Sequence, residues 1–283
     1  MSINKTIFGI TSGLLLLCAF VWFMFLRKEK AYGSKTSPEI NIEKTWELPK
    51  VLDEISGIVY LGDNKIACVQ DEDGIIFIYD LNTSKVDNQI KFGGNGDHEG
   101  IAVKGSTAYV AKSDGSIIEV KNFRTNPEIK EIETPLTASQ DVEGLYFDKK
   151  NDRLLLAIKE REPDSENYKG VYAFDLKKGI LEKNPVYKIK MNDAIFKEVK
   201  EKKLHNVFKP SEIAVHPETG EIYILEGQNP KLLVLNKDWE AQQLFFLNKK
   251  SFPQPEGLTF SSSGEMYISN EGNPATIYLV SLN

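Results

Sequence analysis

Histidine and cysteine are scarce in this chain: its 283 residues hold three His and two Cys. No His-Glu-x-x-His pair and no Gly-x-Ser-x-Gly elbow is present, which removes the common zinc-protease and serine-hydrolase patterns. The glycine-rich stretch Gly93-Gly94-Asn95-Gly96 lacks the Lys-Ser/Thr of a phosphate-binding loop and leads into a strand rather than a helix. His98 reads as a solvated loop histidine, His205 falls in an insertion and His216 in a turn. Cys18 lies in an apolar run and Cys68 in an expected strand, so no disulfide joins them and cysteine usage leaves the redox compartment unread. A clustered basic face is also missing. Net charge is −6 with both signs interspersed, which argues against a nucleic-acid surface.

What the chain does have begins near its N-terminus. Ile7 to Leu26 carries no charged side chain and ends in the bulky run Val21-Trp22-Phe23-Met24-Phe25-Leu26. About 20 apolar residues at helical rise span a bilayer's hydrocarbon core. A cleaved signal peptide would end in small residues, and a lipoprotein site at Cys18 would need a small residue where Leu17 stands. The expected organisation is a tail over 1–6, an uncleaved transmembrane anchor over 7–26 and a linker over 27–40. Arg27, Lys28 and Lys30 after the run, against Lys5 before it, would hold the C-terminal part in the cytoplasm by the positive-inside rule. N-terminal anchors that precede a large domain mostly export it, and the expectation is a single-pass cell-membrane protein with its domain outside the cytoplasm.

The rest of the chain echoes itself. Ser56-Gly57-Ile58, Glu99-Gly100-Ile101, Glu143-Gly144-Leu145, Ser211-Glu212-Ile213 and Glu256-Gly257-Leu258 recur at spacings of 43, 44, 68 and 45 residues. A period near 45 is the length of a four-stranded propeller blade. Each element opens a run rich in Val, Ile, Leu, Tyr and Phe, and further such runs follow, punctuated by turns such as Gly62-Asp63-Asn64 and Pro217-Glu218-Thr219-Gly220. Four of the repeats have a fourth strand; the last stops at its third, and Ile42–Leu48 is the spare strand that would complete it. The long interval takes a polar loop, Arg161–Lys169, and a segment from Asn192 to Lys209 in which Ala194–Lys200 reads as a short helix. The chain is therefore expected to be all-β: a five-bladed β-propeller over 41–283, closed by strand 42–48 and preceded by a single N-terminal transmembrane helix.

The repeat also places a polar side chain at one point of every blade. Glu99, Glu143 and Glu256 should face one mouth of the central channel, with Ser56 and Ser211 completing the circle. Second strands return to the same end and finish at Asp71-Glu72, Asp114, Glu160, Glu226 and Glu271, so one rim gathers many carboxylates and few cations. Crowded carboxylates raise one another's pKa unless something positive sits among them, and a hard, oxygen-seeking cation such as Ca²⁺ is one solution. The other reading is structural: a polar residue before a glycine bonds backbone donors of the next blade and locks the ring.

The order Ser, Glu, Glu, Ser, Glu, together with His98-Glu99-Gly100-Ile101-Ala102, Ala157-Ile158-Lys159-Glu160-Arg161 and Gly264 to Glu271, resembles the SdiA-regulated family over roughly residues 41–283. The resemblance implies a five-bladed propeller behind a membrane segment, distantly related to NHL-repeat propellers, with a Ca²⁺ site and no established activity. Its ligand candidates fall on Glu99, Glu143 and Glu256, then Glu160 and Glu271; Glu226-Gly227 departs from the family pattern at the fourth blade. The function expected is a membrane-tethered Ca²⁺-binding module that holds a protein or small ligand at its face. The alternative is a metal-dependent hydrolase of lactonase or phosphoesterase type.

Overall fold

The computed structural model describes residues 39–283, so the apolar run 7–26 lies outside the described residues. Among those described, no helix is long and apolar enough to cross a membrane. The first strand is β1 (Ile40–Glu47). Blade one then comprises β2 (Ile55–Gly62), β3 (Lys65–Gln70), β4 (Ile75–Asp80) and β5 (Lys85–Lys91). Blade two comprises β6 (His98–Lys104), β7 (Thr107–Lys112), β8 (Ile117–Lys121) and β9 (Glu128–Ile132). Blade three comprises β10 (Val142–Asp148), β11 (Arg153–Ile158), β12 (Tyr168–Asp175), the two-residue β13 (Ile180–Leu181) and β14 (Tyr187–Lys190). Blade four comprises β15 (Pro210–Val215), β16 (Ile222–Glu226), β17 (Lys231–Leu235) and β18 (Ala241–Phe246). Blade five comprises β19 (Pro255–Phe260), β20 (Met266–Asn270) and β21 (Thr276–Leu282), and its fourth strand is β1.

All blades are antiparallel meanders, and the echo opens the inner strand of each. β1 pairs with β21 from Ile40↔Leu282 to Glu47↔Thr276, and Trp46 Nε1 donates to Leu81 O of blade one at 2.8 Å. Both ends of the propeller are thus tied into one sheet, which leaves no long unpaired edge at the closure. The turns follow from their residues. Asp63 and Asn64 sit at φ 51° and 55°, the left-handed pair that a tight hairpin between β2 and β3 demands.

Five apolar clusters fill the five gaps between neighbouring blades. Phe77 and Tyr79 pack between blades five and one, Phe123 between one and two, and Phe174 between two and three. Phe208 packs between three and four, and Phe252 between four and five. Every described cluster and the closing strand are supplied by the compact unit Ile40–Asn283.

The long third interval holds no sixth blade. It contains a loop before β12 and two single 3₁₀ turns, Ala194–Phe196 and Leu204–Asn206. The helix expected over 194–200 stops after one turn. Asp193 caps it by accepting from Ile195 N at 2.9 Å, and burial of Phe196 against Phe208, with ring centroids 5.4 Å apart, then turns the chain inward.

Candidate functional site at the channel mouth

The recurring acidic or serine residue is a β-bulge in every blade. Pairing between the first and second strands slips by one residue at Ile55/Ile58, His98/Gly100, Val142/Gly144, Pro210/Glu212 and Pro255/Gly257. Ser56, Glu99, Glu143, Ser211 and Glu256 lie at those slips. A bulge breaks the strict alternation of a strand and re-aims one side chain, and here it does so at the same channel end five times. The glycine that follows is demanded by contact: a Cβ on Gly57 would lie 2.7 Å from Ile101 N, and one on Gly100 2.6 Å from Leu145 Cβ. The fourth copy breaks the rule with Glu212. Its side chain, 1% exposed, runs along the neighbouring blade, and Oε1 accepts from Leu145 N and Ile213 N at 2.9 Å each.

The mouth is less purely acidic than the sequence suggests. Lys159 Nζ lies 2.5 Å from Glu143 Oε1 and 3.7 Å from Asp141 Oδ2. Lys209 lies 2.5 Å from Glu160, and Lys231 lies 2.8 Å from Glu226 with both side chains at most 4% exposed. Lys169, also buried, donates from Nζ to Lys159 O. The expectation of few cations at this rim is corrected: lysines from blades three and four and from the segment before β15 fold onto it. Lys231 meets Glu226 across one hairpin and Lys159 meets Glu143 across another, whereas Lys209 reaches Glu160 from 49 residues away.

The five glutamates divide accordingly. Burial pushes Glu99 up to about 10, helped by the charges of Glu143 and Asp97. Burial lifts Glu256 to about 7, with Lys159 and Gln254 offsetting part of the rise. Glu271 reaches about 8 through burial and a hydrogen bond with Glu54, and it also accepts from Gln254. Glu143 rises to about 8 by burial, although the Lys159 ammonium opposes this. For Lys159, desolvation is outweighed by the carboxylates of Glu143 and Asp141, and its pKa is pushed up. Glu160 goes the other way: burial would raise it, but the Lys209 contact holds it below the ordinary carboxylate range. Four of the five expected residues therefore share one crowded carboxylate field, and Glu160 belongs to a separate ion pair.

Sequence reasoning missed Glu212, whose carboxyl is driven well above its ordinary range by burial and by the charges of Glu143 and Glu256. The signal was a glutamate at the position where the other copies have glycine. His98 is a second correction. It is 2% exposed and edge-on to Phe92 at 5.0 Å, not a solvated loop residue, because the neighbour of an outward residue at a strand start points inward.

Oxygen donors alone suit a hard cation, and buried Asp71 Oδ1, Glu212 Oε2 and Asn270 Oδ1 have no hydrogen-bond partner at this end. Among the described residues, however, no group of three or more His, Cys, Asp or Glu is gathered tightly enough to hold a metal ion. The described residues thus form no closed coordination shell.

The SdiA-regulated family profile matches residues 34–281, nearly the whole described region. The chain belongs to the SdiA-regulated family. No curated protein matches it. Among solved structures, this SdiA-regulated propeller is similar to Myxococcus xanthus glutaminyl cyclase, with 13% identity, TM-score 0.60, and coverage of 86% of this chain and 96% of that one. It is also similar to the PQQ-bound aldose sugar dehydrogenase of Streptomyces coelicolor, with 11% identity, TM-score 0.52, and coverage of 87% and 99%. The chain matched in a nidogen/laminin complex gives 14% identity, TM-score 0.51, and coverage of 83% and 86%. At such identities the likeness is one of fold. Enzymes and binding proteins share it, and function has to be read from the site.

Proposed function

We propose that this SdiA-regulated protein is a non-enzymatic binding module. In this reading its carboxylate mouth recognises a cation, Ca²⁺ first, and through it a protein or small ligand at the same face. One observation carries the reading: bulges in three blades turn Glu99, Glu143 and Glu256 onto one channel end, with Glu271 beside them, and a single ammonium, Lys159, is in contact with the ring. Carboxyls lifted to between about 7 and 10 hold protons at neutral pH because burial and crowding disfavour their charge, and an added cation would displace those protons and stabilise the charged forms. Glu99 and Glu256 would hold the ion, with Glu143 sharing it against Lys159 and water completing the shell. The hydrolase alternative needs a solvent-facing base beside the ion. His98 is packed against Phe92 and does not supply one. The uncharged run 7–26 supports a membrane anchor, and we place the propeller outside the cytoplasm.

Thermal melting with EDTA and then with added Ca²⁺ tests the reading. Ca²⁺ should raise the melting temperature, Glu99→Gln should remove most of the rise, and Glu218→Gln, in an exposed turn, should leave it intact. An unchanged melting temperature across the Ca²⁺ titration would overturn the proposal. Protease added to intact cells tests the orientation: cleavage of the propeller is expected, and full protection contradicts it.

A further inference from the structure

The inner strands begin at the carboxylate mouth and end at the opposite face of the ring, which differs in every respect. Two positions beyond the Ile or Leu of each echo stand Tyr60, Val103, Phe147, Val215 and Phe260. All five are only partly buried, and they line an apolar cavity of about 380 Å³ in the far half of the channel. That volume lies within the usual range of small-molecule pockets, roughly 300–1,000 Å³. A second hollow of about 750 Å³ adjoins it between blades three and four, and the two share Tyr146, Val215 and Pro217 as a common wall.

The second hollow has a different character. Lys149, Lys150, Arg153 and Lys237 line it against one carboxylate, Asp148, which is four positive charges less one negative, a surplus of three in a chain whose net charge is −6. Asp148 is held by Arg153 at 2.9 Å and by Asn151 at 2.7 Å, and Asp152 of the same turn pairs with Lys104. Lys149, Lys150 and Lys237 are exposed, and among the described residues they form no ion pair. Trp239 closes the hollow, stacked on Tyr187 at 4.9 Å, with φ at 66°. A bulky side chain in left-handed backbone is uncommon and persists where the surroundings enforce it.

We infer that this face binds a free amphiphilic anion, a medium-chain carboxylate, with its acyl chain in the channel cavity and its headgroup over Lys149, Lys150 and Lys237. An apolar chamber beside a cationic hollow, with Tyr146, Val215 and Pro217 lining both, is complementary to an apolar tail carrying one negative end. A neutral apolar molecule leaves the lysines unused, and a small anion leaves the chamber unfilled.

Calorimetric titration of residues 39–283, the unit that contains all five cores and the closing strand, tests the inference with decanoate as probe. Saturable binding near one decanoate per chain is expected, accompanied by a change in Trp239 emission. Decanol and acetate should each bind at least about ten-fold more weakly. Lys149→Gln, Lys150→Gln and Lys237→Gln together should weaken decanoate by about ten-fold, the sum of three exposed charge contacts. Val103→Trp should block the chamber; the lysine variant, confined to the surface, decides the matter if that protein fails to fold. Absence of saturable decanoate binding overturns the inference. So does decanol binding as tightly as decanoate, which would mark an apolar void without a headgroup site. Binding to anionic phospholipid vesicles without binding of the free acid overturns it in favour of a membrane-facing surface.

Discussion

The two halves of the channel mouth carry the same residue type in different company. On the side of blades three and four, three glutamates each have a lysine: Glu143 with Lys159, Glu160 with Lys209 and Glu226 with Lys231. On the side of blades five, one and two, Glu256, Glu99 and Glu271 form no ion pair among the described residues; Lys159 acts on Glu256 and Glu99 through its charge alone, and Gln254 donates to Glu271. One half is a set of internal ion pairs that tie strands and loops together. The other is a crowded carboxylate field, the proposed site of the cation.

The largest expected effect comes from breaking the most buried pair. Lys231→Ala strands Glu226, whose side chain is fully buried, and loss of one partner of such a pair costs about 3–5 kcal/mol. Urea unfolding should show the full loss at pH 9. The loss should shrink at pH 6, because burial already lifts Glu226 to about 7 and the stranded carboxyl there takes up a proton. A loss independent of pH would mean that packing rather than charge dominates.

A second, smaller effect separates Glu160 from the unpaired glutamates by sign. Glu256 at about 7, Glu271 at about 8 and Glu99 at about 10 all titrate above an unfolded glutamate near 4.5. The folded state therefore binds more protons than the unfolded one, and stability falls as pH rises through those values. Glu160 lies below its ordinary range, so its contribution is present above the unfolded pKa and is lost on acidification. Melting temperatures in EDTA should decline from pH 6 to pH 10. Glu99→Gln should flatten the whole of that decline, Glu256→Gln only the part below about pH 7, and Glu160→Gln no part of it.

The smallest expected effect is at the surface. Arg161 and Glu166 sit 2.9 Å apart, as close as many buried pairs, yet both are more than half exposed. Arg161→Ala should leave the urea midpoint unchanged within error. A clear shift would show that proximity, and not burial, sets the worth of the lysine pairs as well.

The blade count and the ring of bulged positions were legible in the sequence because each blade repeats one local pattern, and a repeat betrays itself by spacing alone. The lysines were not legible. Lys209 reaches Glu160 across 49 residues of chain, through an insertion with no counterpart in the other blades. Glu212 was visible as a misfit letter in the echo, yet its meaning depends on how closely blades three and four approach. His98 was misread as a loop residue because the glycine-rich stretch before it hides that it is the first residue of β6, where its ring packs inward on Phe92.

Calorimetric titration of Ca²⁺ into Glu256→Gln and Glu160→Gln proteins tests the division of the mouth most directly. The account predicts that Glu256→Gln loses most of the binding while Glu160→Gln binds as the native protein does. Equal losses in the two variants, or a greater loss at Glu160, would contradict it.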